Sequence, residues 1–415
     1  MNLKKKTIFA CLILEIFFSP YSYADEIDFS DNYTLNTFET SAPISSVPNL
    51  NSRAAIIFEK STGSILFGKN ENEKRKMAST TKIMTAIVVL ENTTDLSEIV
   101  TVSKKAANIG GSRLGLSTNS KVTVKDLLYG LLLCSGNDAA IALAEFVGGT
   151  VEDFADLMNQ KALNLGLANT HFVTPHGLDN DEHYTTAYEL ALLTKYALEN
   201  ETFSRIVSTK SYSVTINNSS KNIGNTNELL GYLDGVYGVK TGFTNGANRC
   251  LVTACKRDDL DVICVVLGAD SKKFRTQDSI KLIEYAFSNF EMVDIESIIQ
   301  EDFSKWESKT SSNFFVNKGA SNSINTYLET LQYSKYPINK SEINTIRTEF
   351  NCTYNFEAPL LPNSQIGILD FYVNNIKTFE LNIYSVNSIL KKTPFLYFDS
   401  FIKNYSNYLE SIFNF

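Results

Sequence analysis

The chain lacks the patterns by which several large classes of protein are recognised. Its six cysteines and three histidines include no Cys-x-x-Cys pair and no zinc-like spacing. His171, His176 and His183 fall in one loop-rich stretch, but their spacing matches no helical ligand pair such as His-Glu-x-x-His, so they read as scaffold. The sequence calls for no metal and no cofactor. An excess of basic residues is missing too: 38 Lys and Arg stand against 46 Asp and Glu, a net charge of −8, which leaves no electrostatic footprint for nucleic acid. A hydrophobic fraction of 43% is ordinary for a globular chain and leaves little room for a polytopic membrane protein.

Apolar residues do run together at the N-terminus, from Thr7 to Phe18, behind Lys4, Lys5 and Lys6. That run is too short for a comfortable membrane span of about 20 residues. With Ser22-Tyr23-Ala24 after it, residues 1–24 read as a cleaved secretory signal peptide, despite Glu15 inside the apolar core. The protein is therefore expected to be exported. Removing the segment takes three lysines and one glutamate, leaving 391 residues with 35 basic and 45 acidic side chains, net −10. That length predicts two domains. Five cysteines remain, an odd number that argues against a disulfide framework, and free cysteine is usually a small buried hydrophobe. Cys134 directly precedes Ser135, but no histidine partner makes it a nucleophile.

Three short motifs carry the chemistry. Ser79-Thr80-Thr81-Lys82 opens the apolar run Ile83–Leu90, which reads as a buried helix. Residues three apart on a helix are neighbours, so the turn places an amine beside a hydroxyl. Serine is a poor nucleophile until a base takes its proton, and Lys82 is positioned to be that base for Ser79. The spacing recurs at Ser388/Lys391 and Ser400/Lys403, where a solvated helix face explains it. What distinguishes the first copy is Ser135-Gly136-Asn137, 56 residues on, and Lys240-Thr241-Gly242, another 105. Ser-x-Asn also recurs at Ser311/Asn313, Ser323/Asn325 and Ser385/Asn387, whereas Lys-Thr-Gly occurs once.

Around these motifs the periodicity predicts an α+β architecture, an antiparallel sheet covered by helices. Residues 25–52 read as a flexible leader. A hairpin is expected over Ala54–Phe67, helices over Ser79–Leu90, Val124–Leu133, Asp138–Val147, Glu152–Leu165 and Thr186–Glu199, a second hairpin through Cys250–Leu267, and a helix over Thr276–Phe290. The catalytic domain thus spans 53–291. Residues 292–312, charged and serine-rich, read as a linker. Short strands over 313–392, with an Asn374-Asn375 turn between the last two, predict a small β-sandwich domain. The tail, 393–415, sets Phe398, Phe401, Ile402, Tyr405, Leu409, Ile412 and Phe413 on one helical face. It reads as an amphipathic helix lying on a membrane surface, the alternative being a helix docked on the protein's own core.

Taken in order, the three motifs match the serine-acylating set of β-lactamases and penicillin-binding proteins. The chain more specifically resembles the D-alanyl-D-alanine carboxypeptidases, the low-molecular-mass penicillin-binding proteins. The likeness extends through Val122–Leu132, Ser135–Ala140, Asn169–Phe172, Pro175–Leu178 and Gly238–Thr244, and more weakly through Ala358-Pro359 and Gly367. The resemblance implies a penicillin-binding-type domain and hydrolysis of the terminal D-Ala–D-Ala bond of peptidoglycan stem peptides through an acyl-enzyme on Ser79, with β-lactams as covalent inhibitors. Lys82 would be the base, burial and the Lys240 cation favouring its neutral form. Ser135 would relay the proton to the leaving amine, and Asn137 would hold the substrate backbone. Lys240 and Thr241 would meet the terminal carboxylate or the relay, and Gly242 would let the strand edge approach closely. The backbone N–H groups of Ser79 and Phe243 would form the oxyanion hole, and Arg275 would lie near the carboxylate site. Location at the outer face of the cytoplasmic membrane follows from the export signal and tail.

Two rivals are open at this level. A class A β-lactamase needs a glutamate that activates water, for which Glu189 is the nearest candidate. A silent cell-wall binding protein would keep the fold without the activity.

Overall fold

A computed structural model describes residues 47–413, so the expected signal peptide and most of the leader, 25–46, lie outside the described residues. The first described residues are not loose. Leu50 and Ser52 are buried, the Ser52 N–H donates to Asp278 at 2.7 Å, and Lys69 Nζ donates to the carbonyls of both Leu50 and Ser52. The ordered domain therefore begins inside the segment expected as leader.

In chain order the elements are β1 (Ala54–Glu59), β2 (Ile65–Lys69), a 3₁₀ turn (Ala78–Thr81), α1 (Lys82–Asn92), β3 (Ile99–Thr101), α2 (Lys104–Ala107), β4 (Lys121–Thr123), α3 (Val124–Leu132), α4 (Asn137–Gly148), α5 (Val151–Asn164), α6 (Ala187–Glu199), α7 (Glu201–Val207), β5 (Ser211–Ile216), β6 (Ser219–Gly224), β7 (Val236–Thr244), β8 (Asn248–Arg257), β9 (Leu260–Ala269) and α8 (Lys272–Asn289). An antiparallel five-stranded sheet, in the order β2-β1-β9-β8-β7, divides this part into layers. Both faces of β1 are apolar because both are covered. Ala54, Ile56 and Phe58 face the core built by α1 and α3 to α7, while Ala55 and Ile57 face the core under α8. Such continuous apolar strands are what a sheet buried on both sides requires.

Several elements differ from expectation for identifiable reasons. Hairpin β5–β6 was not among the expected elements: Tyr212, Val214 and Ile216 alternate along β5, but β6 is polar except for Ile223. Its turn, Asn217-Asn218, has φ of 49° and 64°, the left-handed geometry of a two-residue hairpin. Helix α8 starts at Lys272 rather than Thr276, because Ser271 caps it by accepting the Phe274 N–H at 3.1 Å.

The second part comprises β10 (Phe290–Asp294), α9 (Ile295–Thr310), a 3₁₀ turn (Ser311–Asn313), β11 (Phe315–Asn317), β12 (Thr326–Leu328), β13 (Lys335–Asn339), a 3₁₀ turn (Ile343–Thr345), β14 (Arg347–Cys352), β15 (Asn355–Glu357), β16 (Gln365–Val373) and β17 (Ile376–Ser385). An antiparallel sheet in the order β12-β17-β16-β14 forms its frame, with the pairs β10–β13 and β11–β15 beside it. Asn374 and Asn375, at φ of 49° and 61°, make the expected turn between β16 and β17. The segment expected as a linker, 292–312, is instead mostly helix α9. Its charged exterior hides a stripe of Ile295, Ile299, Phe303 and Trp306, three to four residues apart, that enters the second core. Trp306 stacks on Phe350 with ring centroids 5.1 Å apart and on Phe303 at 5.5 Å.

Helix α10 (Pro394–Phe413) closes the chain. Its aromatic face is exposed, Phe395 by 75%, Phe398 and Phe401 by 64% each, so the docked alternative is not what the structure adopts. Among the described residues no helix is long and apolar enough to cross a membrane.

Trp306→Ala removes the largest ring of the second core and should destabilise that part by about 3–5 kcal/mol. Chemical denaturation followed by near-UV circular dichroism measures this loss. Burial of the site below does not involve Trp306, so its chemistry should survive.

Candidate active site

The Ala78–Thr81 turn is 3₁₀ rather than α-helical, and in that geometry side chains three apart eclipse one another. Ser79 and Lys82 are such a pair, and Lys82 Nζ donates to Ser79 Oγ at 2.8 Å. The same amine donates to Asn137 Oδ1 at 2.7 Å and to the His176 carbonyl at 2.9 Å. Lys82 is fully buried, and Ser79 is 4% exposed.

The second motif bends where α3 gives way to α4. Ser135 takes φ of 63°, which a non-glycine residue adopts at a cost, and its buried Oγ makes no hydrogen bond. Asn137 opens α4 and binds across the cleft, its Nδ2 donating to the Gly110 carbonyl at 2.8 Å. Burial pushes the half-buried Cys134 thiol above its ordinary range. Asp138 adds to the push and Lys240 opposes it. The Thr226 N–H donates to the Leu133 carbonyl at 3.0 Å, two residues before Ser135, which ties the loop before β7 to this turn.

The third motif lies on β7. Lys240 is buried and donates to the Thr241 carbonyl at 3.0 Å, and Thr241 Oγ1 shares a 2.7 Å hydrogen bond with Thr226 Oγ1. Gly242 runs against the Ser79 turn: a Cβ there would stand 3.1 Å from the Ser79 nitrogen and 3.2 Å from the Met77 carbonyl. Only a residue without a side chain lets the strand come that close. Phe243 follows, half-buried, with the Arg249 guanidinium 3.7 Å over its ring.

Arg275, in the first turn of α8, is 3% exposed and donates to Glu228 at 2.7 Å. Ser79, Lys82 and Asn137 are thus joined directly, and Ser135, Lys240, Thr241 and Gly242 border them. Arg275 reaches the same region through Glu228, in the loop that carries Thr226.

Sequence reasoning missed how the histidine stretch supports the nucleophile turn. The Val173 N–H donates to His183 Nδ1 at 2.9 Å, so Nε2 carries the proton and donates to Thr81 Oγ1 at 2.7 Å. Thr81 Oγ1 donates on to the Ala78 carbonyl at 2.7 Å. Gly177, at φ of 85°, packs so closely that a Cβ would lie 2.0 Å from that carbonyl. Burial, then the Lys82 charge, holds His176 down at about 3, and burial followed by His171 does the same for His183. Both are neutral structural groups.

Asp138, next to Asn137, is a second buttress that sequence reasoning missed. Its carboxylate accepts the N–H groups of Leu114, Gly115 and Leu116 at 2.7–2.9 Å, which fixes the loop whose Gly110 receives Asn137. Lys221 of β6 ties the same loop, donating to the Leu114 carbonyl at 2.6 Å. The charge at Asp138 was readable; the loop it holds, distant in sequence, was not. Glu189 is taken up by Asn169 and Thr170, its oxygens 2.5–3.2 Å from their donors, which occupies the carboxylate a β-lactamase would need for water.

Comparison with known proteins points to one family. A family model described as D-alanyl-D-alanine carboxypeptidase matches residues 39–271. The D-alanyl-D-alanine carboxypeptidase DacF of Bacillus subtilis (strain 168) is 34% identical over 323 residues, covering 76% of this chain and 80% of the relative. A D-alanyl-D-alanine carboxypeptidase from Streptomyces sp. (strain K15) is 40% identical over 244 residues, 55% of this chain and 84% of its own length. Among solved structures, the D-alanyl-D-alanine carboxypeptidase DacD from Francisella tularensis superposes with a TM-score of 0.69 at 26% identity, over 87% of this chain and 99% of that one.

Two outcomes follow from the buttress. Gly177→Ala should displace the Ala78–Ser79 backbone and slow acylation by a fluorescent penicillin about 10²-fold, the scale of an ångström misplacement. Stopped-flow labelling reads that rate. The unfolded chain binds a proton at each histidine near pH 6.5, whereas folded His176 and His183 resist until about 3. Unfolding therefore takes up protons as pH falls below about 6.5, and each histidine costs about 1.4 kcal/mol of stability per pH unit. His183→Gln should flatten the slope of unfolding free energy between pH 6 and 4.5 by about that amount.

Proposed function

The chain belongs to the D-alanyl-D-alanine carboxypeptidase family, and from that premise we propose that Ser79 is the nucleophile and Lys82 the base that activates it. The protein is a serine-type peptidase of the penicillin-binding class acting on the D-Ala–D-Ala end of cell-wall peptides. The observation that carries the assignment is the 2.8 Å contact between a fully buried lysine amine and the Ser79 hydroxyl. In its neutral form Lys82 takes the hydroxyl proton as Oγ attacks the carbonyl carbon of the penultimate D-alanine. The negative charge that develops on the carbonyl oxygen is met by the backbone N–H groups of Ser79 and Phe243, whose approach the bare Cα of Gly242 permits.

As the C–N bond breaks, the leaving amine needs a proton. Ser135 Oγ, buried and without a hydrogen bond, relays it. Free D-alanine departs and an ester remains on Ser79. Water then attacks that ester, with Lys82 again accepting a proton. Asn137, anchored through Lys82 and Gly110, aligns the substrate backbone. Lys240 and Thr241 supply cation and hydroxyl for the terminal carboxylate, with Arg275 behind them. The β-lactam ring presents an equivalent carbonyl and carboxylate, so the same groups acylate it.

The protein works outside the cytoplasm, after removal of residues 1–24, and α10 holds it to a lipid surface. The exposed aromatic stripe of that helix, with Lys391 and Lys392 before it, supports this reading. Removing residues 393–415 should release the protein from lipid vesicles in a flotation assay while leaving penicillin labelling intact. Co-flotation of the truncated chain would remove the anchor.

Ser79→Ala should abolish penicillin labelling and the loss of one alanine from muropeptides, both read by mass spectrometry. Lys82→Ala should slow acylation about 10²- to 10⁴-fold, the usual worth of a positioned base. Labelling that persists in Ser79→Ala would transfer the role to another residue.

A further inference from the structure

One short stretch of the loop between α5 and α6 touches both sides of the site where the substrate carbonyl reacts. The His176 carbonyl accepts the Lys82 amine at 2.9 Å. Gly177 follows, and it lies so close to the Ala78 carbonyl that a Cβ would stand 2.0 Å from it. That carbonyl and the Ser79 N–H are opposite ends of one planar peptide, so holding the first holds the second. Two residues on, Asp179 grips the other side. Its Oδ1 accepts the Thr244 hydroxyl at 2.6 Å and its Oδ2 the Gly246 N–H at 2.8 Å. Thr244 directly follows Phe243 and is buried, and its Oγ1 also accepts the Ala247 N–H at 3.0 Å. A Cβ on Gly246 would lie 2.8 Å from the Asp179 carboxyl carbon, so the loop and the β7–β8 turn are in close contact.

We propose that Asp179 is a positioning residue: it sets the gap between the two oxyanion donors by tying the Phe243 end of β7 to the stretch that buttresses Ser79. The inference rests on the roles given above to the Ser79 and Phe243 N–H groups and adds what holds them in register. Donors that each lie about 2.7–3.1 Å from one oxygen stand at most about 6 Å apart. Residues 177 and 179 are two chain steps apart, which span at most about 7 Å even when extended. A strut that short cannot stretch to follow a displaced strand. It is also stiffened from within, the Gly177 N–H donating to Thr174 Oγ1 at 3.1 Å and the Leu178 N–H to His176 Nδ1 at 3.2 Å. Strand β7 needs such a tie because it ends the five-stranded sheet and pairs there with β8 on one side. A brace that served folding alone would change how much enzyme is folded and leave the rate of the folded fraction as it was.

The test uses the full chain and two probes: a fluorescent penicillin in stopped flow, and a peptidyl boronic acid whose serine adduct is tetrahedral and anionic. In Asp179→Ala the acylation rate at saturating penicillin should fall about 10²-fold, the scale of an ångström misplacement, with the half-saturating concentration unchanged. Affinity for the boronic acid should fall by a similar factor, since it mimics the state the donors stabilise. Asp181→Asn removes a carboxylate of the same loop that is 95% exposed and pairs with Lys76, and it should leave both readings at their wild-type values. An unchanged saturating rate in Asp179→Ala, a change confined to the half-saturating concentration, or an equal loss in Asp181→Asn would overturn the role of Asp179. Should Asp179→Ala fail to fold, Thr244→Val decides alone: a slower saturating rate supports the tie, and the wild-type rate overturns it. Wild-type protein that penicillin does not label at Ser79 would instead refute the reading of the site itself.

Discussion

A lysine amine taken wholly out of water has to be met by polar groups, or its burial is prohibitively costly. In this protein the groups that meet Lys82 come from three distant stretches of chain: the hydroxyl of its own turn, the amide oxygen of Asn137 at the start of α4, and the carbonyl of His176 in the loop after α5. One nitrogen atom thereby specifies how a turn, a helix and a loop must sit. The rest of the catalytic domain reads as the means of keeping them there. Neutral His183 and Gly177 support the turn from below, Asp138 holds the loop that receives Asn137, and Gly242 lets β7 close the fourth side.

The charge pattern around that atom follows a single logic. Carboxylates close to the site are occupied by backbone donors, as Asp138 and Glu189 are, or by cations, as Glu228 is. Cations, by contrast, are Lys240 on β7 and Arg275 in the first turn of α8, both buried. Cysteine plays no part in this: the Cys250 and Cys255 thiols are pushed up to about 11 and about 12 by burial, far from reactive thiolates.

The parts legible in the sequence were those in which one face or one spacing decides the structure. Ser79 and Lys82 sit three apart, so any helical turn brings them together; β1 and β9 are apolar on both faces, so only a doubly covered sheet suits them. What escaped was set by partners remote in sequence. Helix α9 looked like a linker because its four buried apolar residues are diluted by charge, and only the second core shows why they are spaced so. Strand β6 is polar except for Ile223, and the hairpin's place is fixed by Lys221 on the Leu114 carbonyl and by Tyr212 stacked on Tyr129 at 3.5 Å. The pairing of Arg275 with Glu228 joins residues 47 apart and has no local signature.

The second part stands apart from the chemistry in a physically telling way. Its core is aromatic and self-contained, Trp306, Phe303, Phe350 and Phe314 packing on one another, and it shares no residue with the two cores of the catalytic domain. Its junction with that domain includes strand β10, which leaves α8 directly and pairs with β13, and the exposed ion pair of Lys335 with Asp259 at 2.6 Å. An exposed pair contributes little stability and is weakened by salt. Lys340 adds to the junction, its Nζ donating to the Phe287 carbonyl and its N–H to the Asn289 carbonyl, each at 2.8 Å. The second part is suited to acting as a spacer between the Lys82 network and the exposed aromatic helix at the chain's end.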